Sequence, residues 1–97
     1  MWIRHWIGSM NEIILTERLK GDYKSLPSEI QKKLKKQIRF LAEDPKHRSL
    51  QIHRIEGTRY WEFYVDMAYR CIFRQDGNVY YLLAVGPHKV IDEFARK

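Results

Sequence analysis

Two segments near the start of the chain show the apolar spacing of amphipathic helices. The first, "ERLKGDYKSL", follows Thr16, whose side chain can cap a helix. The second, "SEIQKKLKKQIRFLAEDP", has Ser28 and Gln31 at the spacing of a capping box and ends at Pro45. Its apolar stripe consists of Ile30, Leu34, Ile38 and Leu41. The pattern therefore predicts two consecutive helices.

After the loop "DPKHRS" the apolar pattern changes from helical spacing to alternation, which predicts strands. The strand segments are "LQIHRIE", "YWEFYVD", "AYRCIFR" and "VYYLLAVG", separated by turns at Gly57-Thr58, Asp66-Met67 and Asp76-Gly77. Connections this short join antiparallel neighbours. The last strand is apolar on both faces, which predicts a central position in the sheet.

Two further short elements complete the pattern. The segment "NEIILT" before the helices predicts another strand, and residues Lys89 to Arg96 predict a final helix after Gly86-Pro87. Together the elements predict an α+β protein, in which two N-terminal helices pack on one face of a curved antiparallel sheet of four to five strands. A short C-terminal helix follows, and the opposite face of the sheet is left partly open.

Apolar residues at helical spacing also occur in the first ten residues. They are Trp2, Ile3, Trp6 and Ile7. The segment is too short and too charged to span a bilayer, and it lacks the features of a secretory signal. We interpret it as an extension that packs against the domain or as residues upstream of a start at Met10, in preference to a membrane-surface anchor. The predicted organisation is an N-terminal extension over residues 1–9 and a single domain over residues 10–97, with no membrane partner.

Basic residues outnumber acidic ones by 18 to 12 in this chain of 97 residues, for a net charge of +6. Such a charge favours nucleic acid, an anionic membrane or an acidic protein as partner. Cys71 is the single cysteine, so no internal disulfide is possible, and the sequence lacks the Cys and His spacing of a metal site. We therefore expect a protein of the reducing cytoplasm that uses no metal and no cofactor.

Two arginines interrupt the apolar strand "AYRCIFR". If Cys71 and Phe73 pack under the helices, Arg70 and Arg74 point to the open face, because side chains alternate along a strand. The open face is then the candidate site for an anionic ligand. The alternative is that Arg70 pairs with Glu62 on the neighbouring strand.

The series of segments resembles the RelE/ParE superfamily of toxins from bacterial toxin-antitoxin pairs. It runs, in this order, through "LPSEIQKKLKKQIRFLAEDP", "SLQIHRIEG", "YWEFYV", "YRCIFR" and "VGPHKVIDEF". The resemblance covers Asn11 to Phe94, and its most telling features are the "YR" of the penultimate strand and the histidine after the last strand. It implies a cytoplasmic toxin that is inhibited by a cognate antitoxin protein. In the RelE branch, which we favour, the toxin would cleave mRNA, usually on the ribosome; in the ParE branch it would poison gyrase.

The resemblance also implies roles for particular residues. Cleavage of RNA can proceed without a metal, because the 2′-hydroxyl is a nucleophile beside the phosphorus and the protein supplies acid, base and cations. Arg70 matches the arginine that contacts the scissile phosphate in the family. His88 falls where the family places a proton-transferring or cationic residue, although a helix cap or an exposed loop residue is the alternative. Lys89 is a second candidate for a phosphate contact.

The first predicted strand after the helices, "LQIHRIE", contributes further candidates. Relatives carry basic residues where this chain has His53 and Arg54, and strand parity does not decide which of the two faces the site. We expect Arg54 to face it, as a catalytic residue, with His53 as a secondary RNA contact. Glu62 stands where many relatives have basic residues, and it is a candidate to orient His88 or to act as general base.

Four other side chains are candidates for RNA contacts or chemistry. Phe94 lies where several RNA-cleaving members have a tyrosine, and it can stack on a base but cannot transfer a proton. Lys32 and Lys36 lie opposite the apolar stripe of the long helix, on a face that is either simply solvated or a footprint for ribosomal RNA. Cys71 is expected to be a buried structural residue rather than a nucleophile.

The sequence thus predicts a metal-independent, ribosome-dependent mRNA endoribonuclease in which Arg70 and Arg54 hold the phosphate and His88 moves a proton. One alternative is a ParE-like toxin that binds gyrase and catalyses nothing, and another is a non-catalytic RNA-binding module of the same fold. Convergence of Arg70, His88 and Glu62 in one cleft would favour the nuclease. The antitoxin is expected to cover the basic open face or to displace the terminal helix with an acidic and apolar segment.

Overall fold

The computed structural model describes residues 5–7, as backbone, and residues 11–95; these form one six-stranded sheet and three helices. The strands are β1 His5–Ile7, β2 Glu12–Leu15, β3 His53–Arg54, β4 Trp61–Asp66, β5 Tyr69–Asp76 and β6 Val79–Pro87. The helices are α1 Glu17–Lys24, α2 Ser28–Glu43 and α3 Val90–Ala95. Two helices before the main run of strands and a short C-terminal helix confirm the predicted α+β class.

The order of the strands in the sheet is β1-β2-β6-β5-β4-β3. Strands β3 to β6 pair antiparallel with one another, as predicted, and β6 takes the central position expected from its apolar residues. The pair of β2 and β6 is parallel, and the connection between them is long enough for such a pair, since it contains α1, α2 and three strands. The sheet is therefore antiparallel with one parallel pair.

Residues 5–7 form a strand. The helical spacing of apolar residues at the start of the chain therefore does not correspond to a helix over these three residues. They pair antiparallel with β2 and extend the sheet beyond the predicted four to five strands. Trp2 and Ile3 lie outside the described residues, and the division at residue 10 stays a prediction. Among the described residues, no helix combines the length and the apolar character that crossing a membrane requires.

The two long helices begin in different ways. Thr16 caps α1 as predicted: its hydroxyl oxygen accepts the N–H of Leu19 at 3.2 Å and also donates to the carbonyl of Leu82 at 2.8 Å. The predicted capping box of α2 is wrong, since Ser28 already belongs to the helix and Pro27 occupies the cap position without a side-chain bond. The side chain of Gln31 instead donates to the carbonyl of Tyr23 at 2.8 Å, which joins α2 to α1.

The segment predicted as a strand over residues 50–56 is mostly irregular. Residues 48–50 form a 3-10 helix, Gln51 adopts a left-handed backbone with φ 44°, and only His53–Arg54 pair with β4. This edge strand of two residues is correspondingly short. The final helix begins at Val90, one residue later than predicted, and is described to Ala95.

The main core lies between the sheet and the pair α1 and α2. Its fully buried members include Ile13, Leu19, Leu34, Leu41, Leu50, Phe63, Cys71 and Leu82. Cys71 and Phe73 point into this core as alternation predicts, with Tyr69 packed against it. The apolar stripe of α2 supplies the facing side chains, so most of the stabilising burial comes from this one layer contact.

The opposite face of the sheet is less open than expected, because α3 packs on its middle. Ile72 is fully buried there, in a second cluster with Ile55, Ala84 and Val90. Three consecutive residues of β5 are thus buried, on alternating faces, and both faces of the strand are covered at this point. Opposite Ile72 the register of β6 shifts by one residue at Leu83, which forms a bulge in the strand.

Gln37 is the buried polar side chain of the core among the described residues. Its amide donates to the backbone carbonyls of Tyr64 at 2.7 Å and Ser49 at 3.1 Å, and its oxygen accepts the Ser49 hydroxyl at 3.4 Å. One side chain of α2 therefore satisfies backbone groups in β4 and in the 3-10 helix, which fixes the position of the helix over the sheet.

The variant Gln37→Leu keeps the volume of this side chain and removes its hydrogen bonds. We expect it to lower the free energy of unfolding by about 1–3 kcal/mol, because two partly buried carbonyls lose their donor. Urea unfolding followed by circular dichroism measures the change. The matched control is Lys36→Leu on the exposed face of the same helix, for which a change within about 0.5 kcal/mol is expected; equal effects in both variants would contradict the assigned role of Gln37.

Candidate functional site

Arg70 lies near the start of β5, on the sheet face opposite α1 and α2. Its Nη1 donates to the backbone carbonyls of Asp66 at 2.8 Å and Tyr69 at 3.0 Å, and its Nε lies 3.5 Å from Oε1 of Glu62. Its guanidinium carbon also lies 5.1 Å from the centre of the Tyr64 ring. The guanidinium is therefore held in one orientation, and the pairing with Glu62 that stood as the alternative is present.

The Arg70 and Glu62 side chains are largely buried, with 21% and 17% of their areas exposed. Within residues 11–95, Nη2 of Arg70 has no hydrogen-bond partner. Nη2 is therefore the nitrogen left to donate to an anion while the two backbone carbonyls hold Nη1. A bidentate contact that also uses Nε requires Glu62 to release its side of the pair.

His88 lies in the turn between β6 and α3, on the same end of the sheet as Arg70. Its backbone N–H donates to the carbonyl of Ala68 at 3.0 Å, and its carbonyl accepts the N–H of Ile91 at 3.1 Å. Arg70 stands opposite Gly86 in the register, so His88 follows two residues beyond the partner of Arg70. The residue is exposed, and the described contacts include none between its ring and Arg70 or Glu62. The structure thus brings Arg70 and Glu62 together, while His88 lies in the turn at the same end of the sheet without a described contact to either.

The register of β3 decides between the two basic residues that parity left open. His53 stands opposite Glu62, whereas Arg54 stands opposite Trp61. Directly opposed residues share a face of the sheet, so His53 lies on the face of Glu62 and Arg54 on the face of the helices. Arg54 donates from Nε to the carbonyl of Thr58 at 2.8 Å and lies 5.7 Å from the Trp61 ring.

The choice of Arg54 as the residue that faces the site is therefore wrong. Ile55, which follows Arg54, is buried in the second cluster under α3, on the face of Glu62, and not in the main core. Leu50 and Ile52 pack with the main core, on the side of Arg54. Because each face of the sheet carries an apolar cluster, buried neighbours alone did not show which face is the site.

Arg74 and Tyr81 form a second arginine and tyrosine pair on the same face. They are cross-strand partners, and the guanidinium carbon of Arg74 lies 4.0 Å from the centre of the Tyr81 ring. The site prediction included neither Tyr81 nor Tyr64. The two-residue connection of this hairpin is Gly77-Asn78, one residue later than the predicted turn at Asp76-Gly77. The predicted turn would have placed Val79 opposite Arg74, because a two-residue connection determines the register of a hairpin.

The remaining candidates lie apart from Arg70. The Phe94 ring packs edge-on against Tyr60, with their centres 5.3 Å apart, inside the second apolar cluster. Lys89 is exposed and lines a cavity of about 330 Å³ between α1, β6 and α3. Lys32 and Lys36 are exposed on α2, which lies on the other side of the sheet. Lys32 and Lys36 therefore do not share the face of Arg70.

Cys71 is fully buried in the main core. Burial raises the pKa of its thiol, and the nearby Asp22 carboxylate raises it further. The thiolate form is therefore suppressed at neutral pH, which fits a structural residue and not a nucleophile.

Alkylation with iodoacetamide near pH 8 tests this state of the thiol. We expect Cys71 in the native protein to react at least about 100-fold more slowly than in urea, since reaction requires opening of the core. The variant Lys32→Cys provides an exposed thiol on α2 as a control that reacts at once. Equal rates for the two thiols in the folded variant would show that Cys71 is accessible.

A comparison with protein families identifies the chain. The family model described as the ParE toxin of type II toxin-antitoxin systems, parDE, matches residues 13–91. This chain belongs to the ParE toxin family. Arg70, Glu62 and His88 all lie within the matched residues, whereas Phe94 lies beyond them. Curated protein sequences include no match to this toxin.

Solved structures of other toxins share the fold of this ParE-family toxin. YafQ from E. coli strain BL21(DE3) matches with a TM-score of 0.69 at 15% identity, over 84% of this chain and 97% of YafQ. The RelB-RelE antitoxin-toxin complex from Methanococcus jannaschii matches with a TM-score of 0.66 at 20% identity, over 82% and 95%. The YoeB/ParE toxin from Agrobacterium tumefaciens matches with a TM-score of 0.65 at 17% identity, over 78% and 96%. At these identities the likeness establishes the fold, and the activity must be argued from the site.

Proposed function

We propose that this ParE-family toxin is a metal-independent endoribonuclease that cleaves mRNA on the ribosome. The observation that carries the proposal is the fixed orientation of the Arg70 guanidinium, which two backbone carbonyls and Glu62 hold in place. His88 lies in the turn after β6, at the same end of the sheet. Arg70 supplies a fixed cation, and the exposed His88 follows two residues beyond the strand partner of Arg70; a cation and an imidazole are groups that cleavage of a phosphodiester needs. The net charge of +6 favours an RNA substrate.

The proposed reaction is an attack by the ribose 2′-oxygen on the adjacent phosphorus. The bond from the 2′-oxygen to phosphorus forms, the bond from phosphorus to the 5′-oxygen breaks, and a cyclic phosphate and a free 5′-hydroxyl result. The phosphate engages Arg70 and displaces Glu62, whose carboxylate then accepts the proton of the 2′-hydroxyl. His88 in its cationic form donates a proton to the leaving 5′-oxygen.

The register supports a secondary role for His53. It stands opposite Glu62 on the edge strand and is exposed. An imidazole at this position contacts the RNA backbone beside the site, a role that the sequence had assigned with less weight than that of Arg54. Arg54 then has no direct part in phosphate binding.

A gyrase-binding toxin without catalysis is the second candidate function. Two observations favour it: the matching family model is that of ParE, and Arg70 is paired with Glu62, so that its charge is locally neutralised. For this function the cluster around Arg70 stabilises the sheet and the exposed cations contact gyrase. The third possibility, an RNA-binding module without cleavage, uses the same surface as the nuclease.

A cognate antitoxin is the proposed protein partner for each of these functions. RelE from Methanococcus jannaschii, which shares this fold, forms an antitoxin-toxin complex with RelB. The face around Arg70 carries basic side chains, among them Arg74 and His53, beside the partly buried apolar side chains of the second cluster, while α3 itself contributes Asp92 and Glu93. A segment with acidic and apolar residues complements this surface, either over α3 or in its place.

Induction of wild type, Arg70→Ala and His88→Ala in cells, followed by mapping of mRNA 5′ ends, tests the nuclease. We expect new 5′ ends in wild type and a loss of cleavage of about 100-fold or more in each variant, because each removes a group that acts on the transition state. Arg39→Ala, which removes an exposed arginine of α2, is the matched control and should cleave as wild type does. Thermal unfolding of each purified variant checks that the loss is not a loss of fold.

Arg70→Lys keeps the positive charge without the fork of donors and should also lose most of the activity. Intact transcripts together with defects in DNA supercoiling would reject the nuclease in favour of gyrase binding. Arrested translation without new 5′ ends would point to RNA binding without cleavage.

A further inference from the structure

Arg74 and Tyr81 differ from the other arginine and aromatic pairs in how closely they stack. The guanidinium carbon of Arg74 lies 4.0 Å from the ring centre, against 5.1 Å for Arg70 over Tyr64 and 5.7 Å for Arg54 over Trp61. A separation of 4.0 Å is that of two flat groups in van der Waals contact. The guanidinium of Arg74 therefore lies on the face of the Tyr81 ring.

The charge of Arg74 also has no partner within the described residues. No carboxylate among residues 11–95 forms an ion pair with it, and none of its donors bonds to those residues, in contrast to Arg70 with Glu62 and two carbonyls. The side chain is half-buried, so one side rests on Tyr81 and the rest is open to solvent. The pair thus presents a flat cation, backed by an aromatic ring, at the surface.

The Arg74 pair is separate from the cluster around Arg70 but lies on the same face and the same strand. Four residues of β5 span about 13 Å at the usual rise per residue. Between the two arginines, Ile72 is fully buried beneath α3. Half-buried Ile14 of β2 stands opposite Tyr81 and adds an apolar neighbour. The face therefore carries two cationic sites divided by the last helix.

We propose that Arg74 and Tyr81 form a stacking subsite for one unpaired RNA base and position the transcript for cleavage at Arg70. The proposal rests on the proposed nuclease function. A guanidinium plane backed by an aromatic ring matches the flat face of a nucleobase, and its outward donors can reach the adjoining phosphate. A phosphate site alone would need no aromatic ring, so the stacked geometry favours a base.

Fluorescence anisotropy with a mixed-sequence single-stranded RNA of about 12 nucleotides tests the subsite in the Arg70→Ala background, which removes cleavage. We expect Tyr81→Leu and Arg74→Gln to weaken binding by roughly 5- to 150-fold, the usual range for loss of one stacked base. Tyr81→Phe keeps the ring and should bind as the parent does. Arg39→Gln removes an equal charge from α2 and should change the affinity little.

Cleavage kinetics of the otherwise wild-type toxin give an independent readout. Tyr81→Leu should raise KM with little change in kcat, since the subsite binds ground state and transition state alike. The subsite is overturned if the RNA fails to bind, if Tyr81→Leu leaves both affinity and KM unchanged, or if it weakens only the binding of the antitoxin. If Tyr81-dependent RNA binding persists although wild type cleaves nothing, the subsite stands and the nuclease fails.

Discussion

Strand β6 is the element on which the rest of the structure depends. It bonds in parallel to β2 and antiparallel to β5, so it joins the N-terminal strands to the C-terminal hairpins. One of its faces carries Leu82 into the main core, and the other carries Ala84 against α3. It also places Tyr81 opposite Arg74 and Gly86 opposite Arg70. The candidate site and the core therefore share one backbone, and the rigidity of the core positions the site.

The face that carries the candidate site combines packing with charge. A small apolar cluster under α3 covers the middle, while Arg70 and Arg74 lie on either side of it. The guanidinium of Arg70 is largely buried, and two backbone carbonyls accept from its Nη1 while Glu62 pairs with its Nε. Without these partners, burial of the charge would lower the stability of the fold. The same contacts pre-orient the guanidinium, and a ligand that used its Nε would have to displace Glu62.

The C-terminal helix is held to the rest of the protein mainly by apolar contact. Arg18 of α1 bridges Asp22 at 3.1 Å and Glu93 of α3 at 3.0 Å. Both Arg18 and Glu93 are about half exposed, so an ion pair of this kind contributes at most about 1 kcal/mol. Burial of Val90 against the sheet stabilises the docked helix more than this ion pair does. Over its six described residues, α3 thus depends on a small apolar contact for its position on the sheet.

The sequence by itself determined the layers of this protein, since the stripe of α2, the cap at Thr16 and the alternation of β4 to β6 are local patterns that the fold preserves. The family resemblance followed from their order. Only the tertiary structure decided which side chains meet: His53 rather than Arg54 faces Glu62 because the pairing of β3 with β4 sets that register, and α3 covers a face that composition left open. Contacts of this kind depend on strand register and long-range docking, and no local periodicity encodes either.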